Sequence, residues 1–369
     1  MKVVIAPDSF KGTLTAAEVA SLIAKALKEN YPETETDEAP VADGGEGTLD
    51  CIYKAIGGQL ISKRVRGPYQ KKVTARLLIT PGGSAVVELA EAAGLAIVKD
   101  NKNPMLTTTY GVGELIKEAL DRGAGEVILA LGGSSTNDGG IGMAVALGLK
   151  AYDKDGNEFL PTGGTLSEIW RLDFRGLDTR ISKTRFLALC DVTTGLCGKE
   201  GAAYIFAPQK GATAEMLPLL DKGLFDLNKR IEEATGKSYL ELEGGGAAGG
   251  AGAGAAAFLS AKMVRGIETI LDLINFDARI KDADYVITGE GRADNQSFMG
   301  KVLSGVANRV SETNAKLILL VGSCVADEET LKRYGVTAVY QTGTKGNTLS
   351  EIKKKAPADL YFAAKKIVL

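Results

Sequence analysis

Short apolar runs recur along this chain, each ending in a loop that carries Gly or Asp; Val3 to Ala6, Val127 to Leu131, Phe186 to Cys190, Tyr285 to Thr288 and Leu317 to Val321 are of this kind. A run of four to six apolar residues closed by turn residues fits a strand buried on both faces, and amphipathic helical spacing between such runs fits crossover helices. The alternation predicts parallel α/β architecture. After the first run, Thr15 and Glu18 stand in capping-box spacing, and Val19, Leu22, Ile23, Ala26 and Leu27 line one face of a predicted helix. Asp8 and Lys11 are thereby placed in a loop between strand and helix. Val127 to Leu131 leads into GGSSTNDGG (132 to 140) and a predicted helix near 139 to 148, and Tyr285 to Thr288 leads into GEGRADNQS (289 to 297). Open parallel sheets bind ligands beyond the carboxyl ends of their strands, so these loops are expected to converge on one site.

Between residues 60 and 90 the texture changes to alternating runs broken by Gly67-Pro68 and Pro81-Gly82-Gly83, the pattern of antiparallel hairpins. The expected organisation is two α/β domains: a Rossmann-like parallel-sheet domain made of both chain ends (1–60 and 262–369), and an inserted mixed α/β domain (61–261), with the active site in the cleft between them. A length of 369 residues suits two cores better than one. Residues 244 to 261 carry no charge but are mostly Gly and Ala, too weakly apolar for a membrane span. They are expected to form a loop entering a helix.

Charge and composition narrow the chemistry. Lys and Arg total 44 against 46 Asp and Glu, a net charge of −2, which offers no overall field for nucleic acid or an anionic membrane. Neither is an expected partner. Cys51, Cys190, Cys197 and Cys324 form no CxxC pair, and the chain has no His, so the usual zinc sets and every Ser-His-Asp or Cys-His arrangement are excluded. The reduced cysteines and an apolar start at Val3, Val4 and Ile5, without the basic region of a signal peptide, predict a cytoplasmic setting. Chemistry must rest on carboxylates, Lys, Arg and backbone amides.

Several motifs carry two readings. Gly244, Gly246 and Gly249 have GxGxxG spacing after a possible short strand at Tyr239 to Glu243. A dinucleotide fingerprint also needs an acidic residue ending a second strand about 20 residues on, whereas Ile267 to Ile274 reads as helix; a packing turn and a phosphate-approaching loop remain. Gly236-Lys237-Ser238 ends like a P-loop, but Ile231 stands where the first glycine is required. GGSSTNDGG has glycines that let amides face an anion, and three hydroxyls beyond what a turn needs. Asp43 in VADGGEG (41 to 47) and Glu290 and Asp294 in GEGRAD (289 to 294) can serve Mg²⁺ or a substrate hydroxyl, with helix capping as the plain alternative for Asp43. Asp191 follows the run Phe186 to Cys190, and Lys210 lies downstream in Pro208-Gln209-Lys210-Gly211.

Taken in order, APDSFKG (6 to 12), PVADGGEGT (40 to 48), GGSSTNDGG, CDVTT (190 to 194), PQKGA (208 to 212), GGGAAGG (244 to 250) and GEGRADNQS followed by Gly300-Lys301 resemble the type I glycerate kinases across essentially the whole chain. The resemblance implies ATP as donor, Mg²⁺, D-glycerate as acceptor and, in many bacterial members, 2-phosphoglycerate as product; 3-phosphoglycerate is the alternative. An NAD-linked hydroxypyruvate or hydroxyacid oxidoreductase is the rival from another class. On the kinase reading Asp191 orients or deprotonates the glycerate hydroxyl while Lys11 and Arg292 balance phosphoryl charge. Asp8, Ser9, Asp43 and Lys210 are the expected substrate-binding residues. Gly132, Gly133, Ser134, Ser135, Thr136, Gly245 and Gly246 are expected to hold the phosphates, and Asp43, Glu290 and Asp294 the metal. Two departures from the family pattern stand out: Thr194-Gly195 where Asn-Pro follows CDVT, and Glu243-Gly244-Gly245-Gly246 in the glycine loop.

Overall fold

Val3, Val4 and Ile5 are fully buried, as β-branched residues are when a strand is covered on both faces. Lys2–Ile5 lies inside a five-stranded sheet, ordered Val336–Gln341, Lys316–Val321, Tyr285–Thr288, Lys2–Ile5, Glu35–Glu38, in which every neighbouring pair is parallel. Numbered along the chain this order is 2-1-3-4-5. The winding therefore reverses between Lys2–Ile5 and Tyr285–Thr288, the position at which open α/β sheets bind their ligands. The helix Ala16–Asn30 begins with the expected capping box of Thr15 and Glu18, and buries Val19, Ile23, Ala26 and Leu27. These pack with Ile5, Ile287, Ile318 and Leu360, while Leu22 is only partly buried.

This computed structural model describes residues 1–346 and 348–369. Met1–Asp43, Asp50–Gly57 and Arg265–Leu369 form the unit that contains the parallel sheet; Gly44–Leu49 and Gly58–Val264 form a second unit. The second unit has a mixed six-stranded sheet ordered Lys262–Val264, Arg185–Leu189, Glu126–Ala130, Ala85–Glu88, Lys72–Ile79, Gln59–Arg66. Its first four strands are parallel, and the last two add antiparallel pairings, as the broken alternation from 60 to 90 predicts. Leu77, Val87, Leu115, Val127, Leu129 and Ala188 form its main core.

One local expectation is revised. Residues 239–243 form turns, because Tyr239 folds back and donates its N–H to Asn228 Oδ1 at 2.8 Å. The run from Gly244 does enter a helix, Ala247–Leu259, but Ala248, Gly249 and Gly250 all have positive φ and kink its start. Among the described residues no helix is long and apolar enough to cross a membrane.

Candidate active site

At the switch point of the parallel sheet the backbone itself brings acidic loops together. Beyond Lys2–Ile5, Ala6 N–H donates to Ile287 C=O and Asp8 N–H to Gly289 C=O, both at 2.8 Å, so the two strand-end loops run side by side. On the other flank Ala39 N–H donates to Ile5 C=O and Val41 N–H to Pro7 C=O. This carries Asp43 toward Asp8. Asp8 is 6% exposed and accepts the Ser9 N–H at 2.6 Å. Burial, followed by repulsion from Asp43 and with a smaller push from Glu290, raises its carboxyl to about 7, against the pull of the Ser9 amide and Lys11. A carboxyl poised near neutrality is suited to proton transfer.

Lys11 lies 3.6 Å from Asp43 with its side chain 77% exposed. The charges of Asp43, Asp8 and Glu290 hold its ammonium above the usual lysine range, burial opposing. Glu290 is half-buried; desolvation raises its carboxyl, and its Oε1 is buried without a hydrogen-bond partner. Arg292 is exposed on a short strand paired with Ser323–Cys324. Asp294 caps the turn Asn295–Phe298, accepting the Ser297 amide and hydroxyl. Asp43 caps no helix, because the neighbouring helix starts at Thr48. Among the described residues no group of three or more Cys, Asp or Glu is set to hold a metal ion without other ligands.

The raised Asp8 has a consequence for stability. Between the ordinary value of 3.8 and about 7 the folded protein holds a proton on Asp8 that the unfolded chain releases, so this contribution to stability falls as pH rises through that window. Asp8→Asn is therefore expected to stabilise the fold by ~1–3 kcal/mol at pH 8, with little difference from wild type at pH 4. Urea unfolding at the two pH values measures it.

In the second unit, GGSSTNDGG follows Glu126–Ala130 and is buried rather than exposed: Ser134, Ser135, Thr136, Asn137 and Asp138 are all at most 5% exposed. Gly132 donates its N–H to Gly44 C=O at 3.1 Å, and a Cβ on it would stand 2.4 Å from Gly45 Cα. Ser135 spends both its amide and its hydroxyl on Ala93 C=O. Asp138 accepts from the Thr108 hydroxyl, from the amide and hydroxyl of Thr109, and from the amides of Gly140 and Gly142; burial raises its carboxyl while these donors oppose. Thr136 Oγ1 and both polar atoms of the Asn137 amide are buried without a partner. Lys210 is buried too, and donates to Ser134 Oγ and Thr136 C=O. Burial brings its ammonium down to about 7, with Asp138 opposing.

The remaining expected residues lie elsewhere in this unit. Asp191 is exposed just beyond Arg185–Leu189. Gly245 and Gly246 give their amides to Leu242 C=O and Thr194 C=O, bonds inside the protein that a phosphate cradle would need broken. A Cβ on Gly246 would stand 2.2 Å from Gly195 O, so the two departures from the family pattern meet in one contact. Because no strand precedes Gly244, the strand–turn–helix setting of a dinucleotide fingerprint is missing. Sequence reading passes over Glu88, which ends the strand Ala85–Glu88, is 3% exposed, and accepts the amides of Gly47 and Leu49 at 3.0 and 3.1 Å. Those two bonds explain why Gly44–Leu49 groups with the second unit. Its only signal in the sequence is a charge closing an apolar run.

The profile of the glycerate kinase family matches residues 3–369. The chain is 42% identical to the glycerate 2-kinase of Escherichia coli (strain K12) over 369 residues, covering 100% of this chain and 97% of that protein. It is also 42% identical to the glycerate kinase of Bacillus subtilis (strain 168) over 342 residues, 92% of this chain and 90% of that one. A crystal structure of a glycerate kinase 2 from Salmonella typhimurium LT2 superimposes with a TM-score of 0.86 at 41% identity, covering 99% of this chain and 96% of that one.

Proposed function

The chain belongs to the glycerate kinase family and is an ATP-dependent kinase, and we propose that it moves the terminal phosphoryl group of ATP to the 2-hydroxyl of D-glycerate, giving 2-phosphoglycerate and ADP. The observation that carries the mechanism is Asp8, buried at the switch point of the parallel sheet, where burial and the charge of Asp43 raise its proton affinity. Asp8 accepts the glycerate hydroxyl proton as the hydroxyl oxygen attacks the terminal phosphorus and the ADP oxygen leaves. Lys11, with Arg292, offsets charge on the transferring group. Asp43 and Ser9 bind the acceptor. Asp191, the base expected from sequence, lies exposed just beyond its strand and lacks the burial of Asp8, so the base role is assigned to Asp8.

The orphaned Oε1 of Glu290 and the surplus of carboxylate beside it fit a divalent cation. Mg²⁺, carried in on the ATP phosphates and held by Glu290 and Asp43, would neutralise phosphate charge there. Asp294, occupied as a cap, is the weaker member of the expected set. In the second unit the loop 132–137 is assigned to the nucleotide phosphates on the buried, unpartnered Thr136 hydroxyl and Asn137 amide. Among the described residues the four cysteines form no disulfide, which suits a reducing, cytoplasmic setting.

Product identity is tested by coupling the reaction to enolase alone. Phosphoenolpyruvate formed at once means the 2-isomer; its appearance only after a phosphoglycerate mutase is added means the 3-isomer and overturns the assignment. The nucleotide loop is tested at Gly133, which has φ +72° and where a Cβ would lie 3.1 Å from that of Ala90. A β-branched residue there forces the backbone out of the left-handed region at a cost of ~1–2 kcal/mol. Gly133→Val is expected to raise KM for ATP roughly tenfold with KM for D-glycerate little changed. Unaltered ATP kinetics in the folded variant would reduce the loop to a turn.

A further inference from the structure

Lys210 closes the short turn Pro208–Lys210, which ends at Gly211 with φ +90°. A Cβ on Gly211 would stand 2.5 Å from Lys102 C=O, so the chain leaves the turn in one way and the lysine points inward, 2% exposed. Its Nζ lies 2.7 Å from Ser134 Oγ and 2.7 Å from Thr136 C=O. Between these two acceptors, Ser135 is tied to Ala93 C=O by its amide and its hydroxyl at 2.8 and 2.9 Å. Three consecutive residues of the loop are thus clamped from two sides. Immediately beyond the clamp are the unpartnered Thr136 hydroxyl and Asn137 amide.

Burying an ammonium is expensive, and an apolar side chain of similar length would fill the same space more cheaply. A thioether cannot donate the two directional bonds that set the loop. Orphaned buried polar groups are also costly, and their retention beside the clamp points to partners that arrive with a ligand. We propose that Lys210 is a positioning residue for phosphoryl transfer: it holds the loop 134–137 in its nucleotide-binding shape through Ser134 and Thr136 and touches neither substrate. This inference rests on the assignment of that loop to the nucleotide made above. It replaces the substrate-binding role expected for Lys210 from sequence.

The test is a double-mutant cycle of Lys210→Met and Ser134→Ala, read in KM for ATP, KM for D-glycerate, kcat and thermal midpoint. Met keeps the stem packing and deletes the donor. Lys210→Met is expected to raise KM for ATP roughly ten- to hundredfold and KM for D-glycerate by less than about twofold. Ser134→Ala alone is expected to raise KM for ATP roughly threefold, and the double variant to stay within about twofold of Lys210→Met, because the serine acts through the ammonium. A residue that merely fills space moves the thermal midpoint and leaves both KM values unchanged; that result overturns the proposal. So do additive effects in the cycle, which would mean that lysine and serine meet the substrate separately. Should Lys210→Met fail to fold, Ser134→Ala decides alone, and an unchanged KM for ATP overturns the inference. A coupled rise confined to KM for D-glycerate supports the clamp while overturning the assignment of its loop to ATP.

Discussion

Asp8→Asn is expected to lower kcat with ATP and D-glycerate by ~10²- to 10⁴-fold, the usual contribution of a positioned general base. Asn keeps the size of the side chain and can still accept the Ser9 N–H, so the loss reads the missing proton acceptor. In wild type, kcat/KM should rise with pH through an acid limb near 7, since burial and the charge of Asp43 hold the carboxyl at about 7 in the free enzyme and only the ionised form takes the proton. The limb that disappears in Asp8→Asn belongs to Asp8. Asp191→Asn, measured beside it, is expected to cost less than about tenfold, as a hydrogen-bonding residue does when its shape is kept. If Asp191→Asn loses more activity than Asp8→Asn, the base is Asp191 and the reading from sequence was the better one.

Lys11→Ala is expected to lower kcat by roughly 10²-fold while KM for D-glycerate moves less than about threefold, because a cation facing charge that develops on the phosphoryl group acts mainly in the transition state. The same variant should move the acid limb to higher pH, since Lys11 is one of the groups that hold the Asp8 carboxyl down. Asp43→Asn should move it the other way, because Asp43 is the neighbour that pushes Asp8 up. Opposite displacements in the two variants would tie the limb to this cluster. A limb that stays in place in both would detach the pH dependence from Asp8, and an unchanged kcat in Lys11→Ala would remove that lysine from the reaction.

Much of this arrangement was legible in the residues themselves. Val3, Val4 and Ile5 could be buried on both faces only within a sheet, and Thr15 with Glu18 marked the helix start to the residue, because these signals act over a few positions through burial and capping. The hairpins between 60 and 90 followed from their turn residues in the same way. Tyr239 to Glu243 misled because a short apolar and acidic alternation cannot announce that its first amide will be taken by Asn228, eleven residues back.

The chemistry of the site divides along the same line. Sequence by itself determined the class of reaction available: with no His, and with carboxylates, Lys and Gly gathered in strand-end loops, positioning and charge neutralisation were the chemistry left. Which carboxylate is tuned was decided by tertiary structure alone. Asp8 and Asp191 both follow apolar strand runs, yet Asp8 is buried against Asp43 and Glu290 from distant parts of the chain, while Asp191 is exposed. Lys210 shows the same limit, for its neighbours Ser134 and Thr136 stand more than seventy positions away. Proton affinity depends on desolvation and on charges within a few ångströms, and those are properties of the packed neighbourhood rather than of any local run of residues.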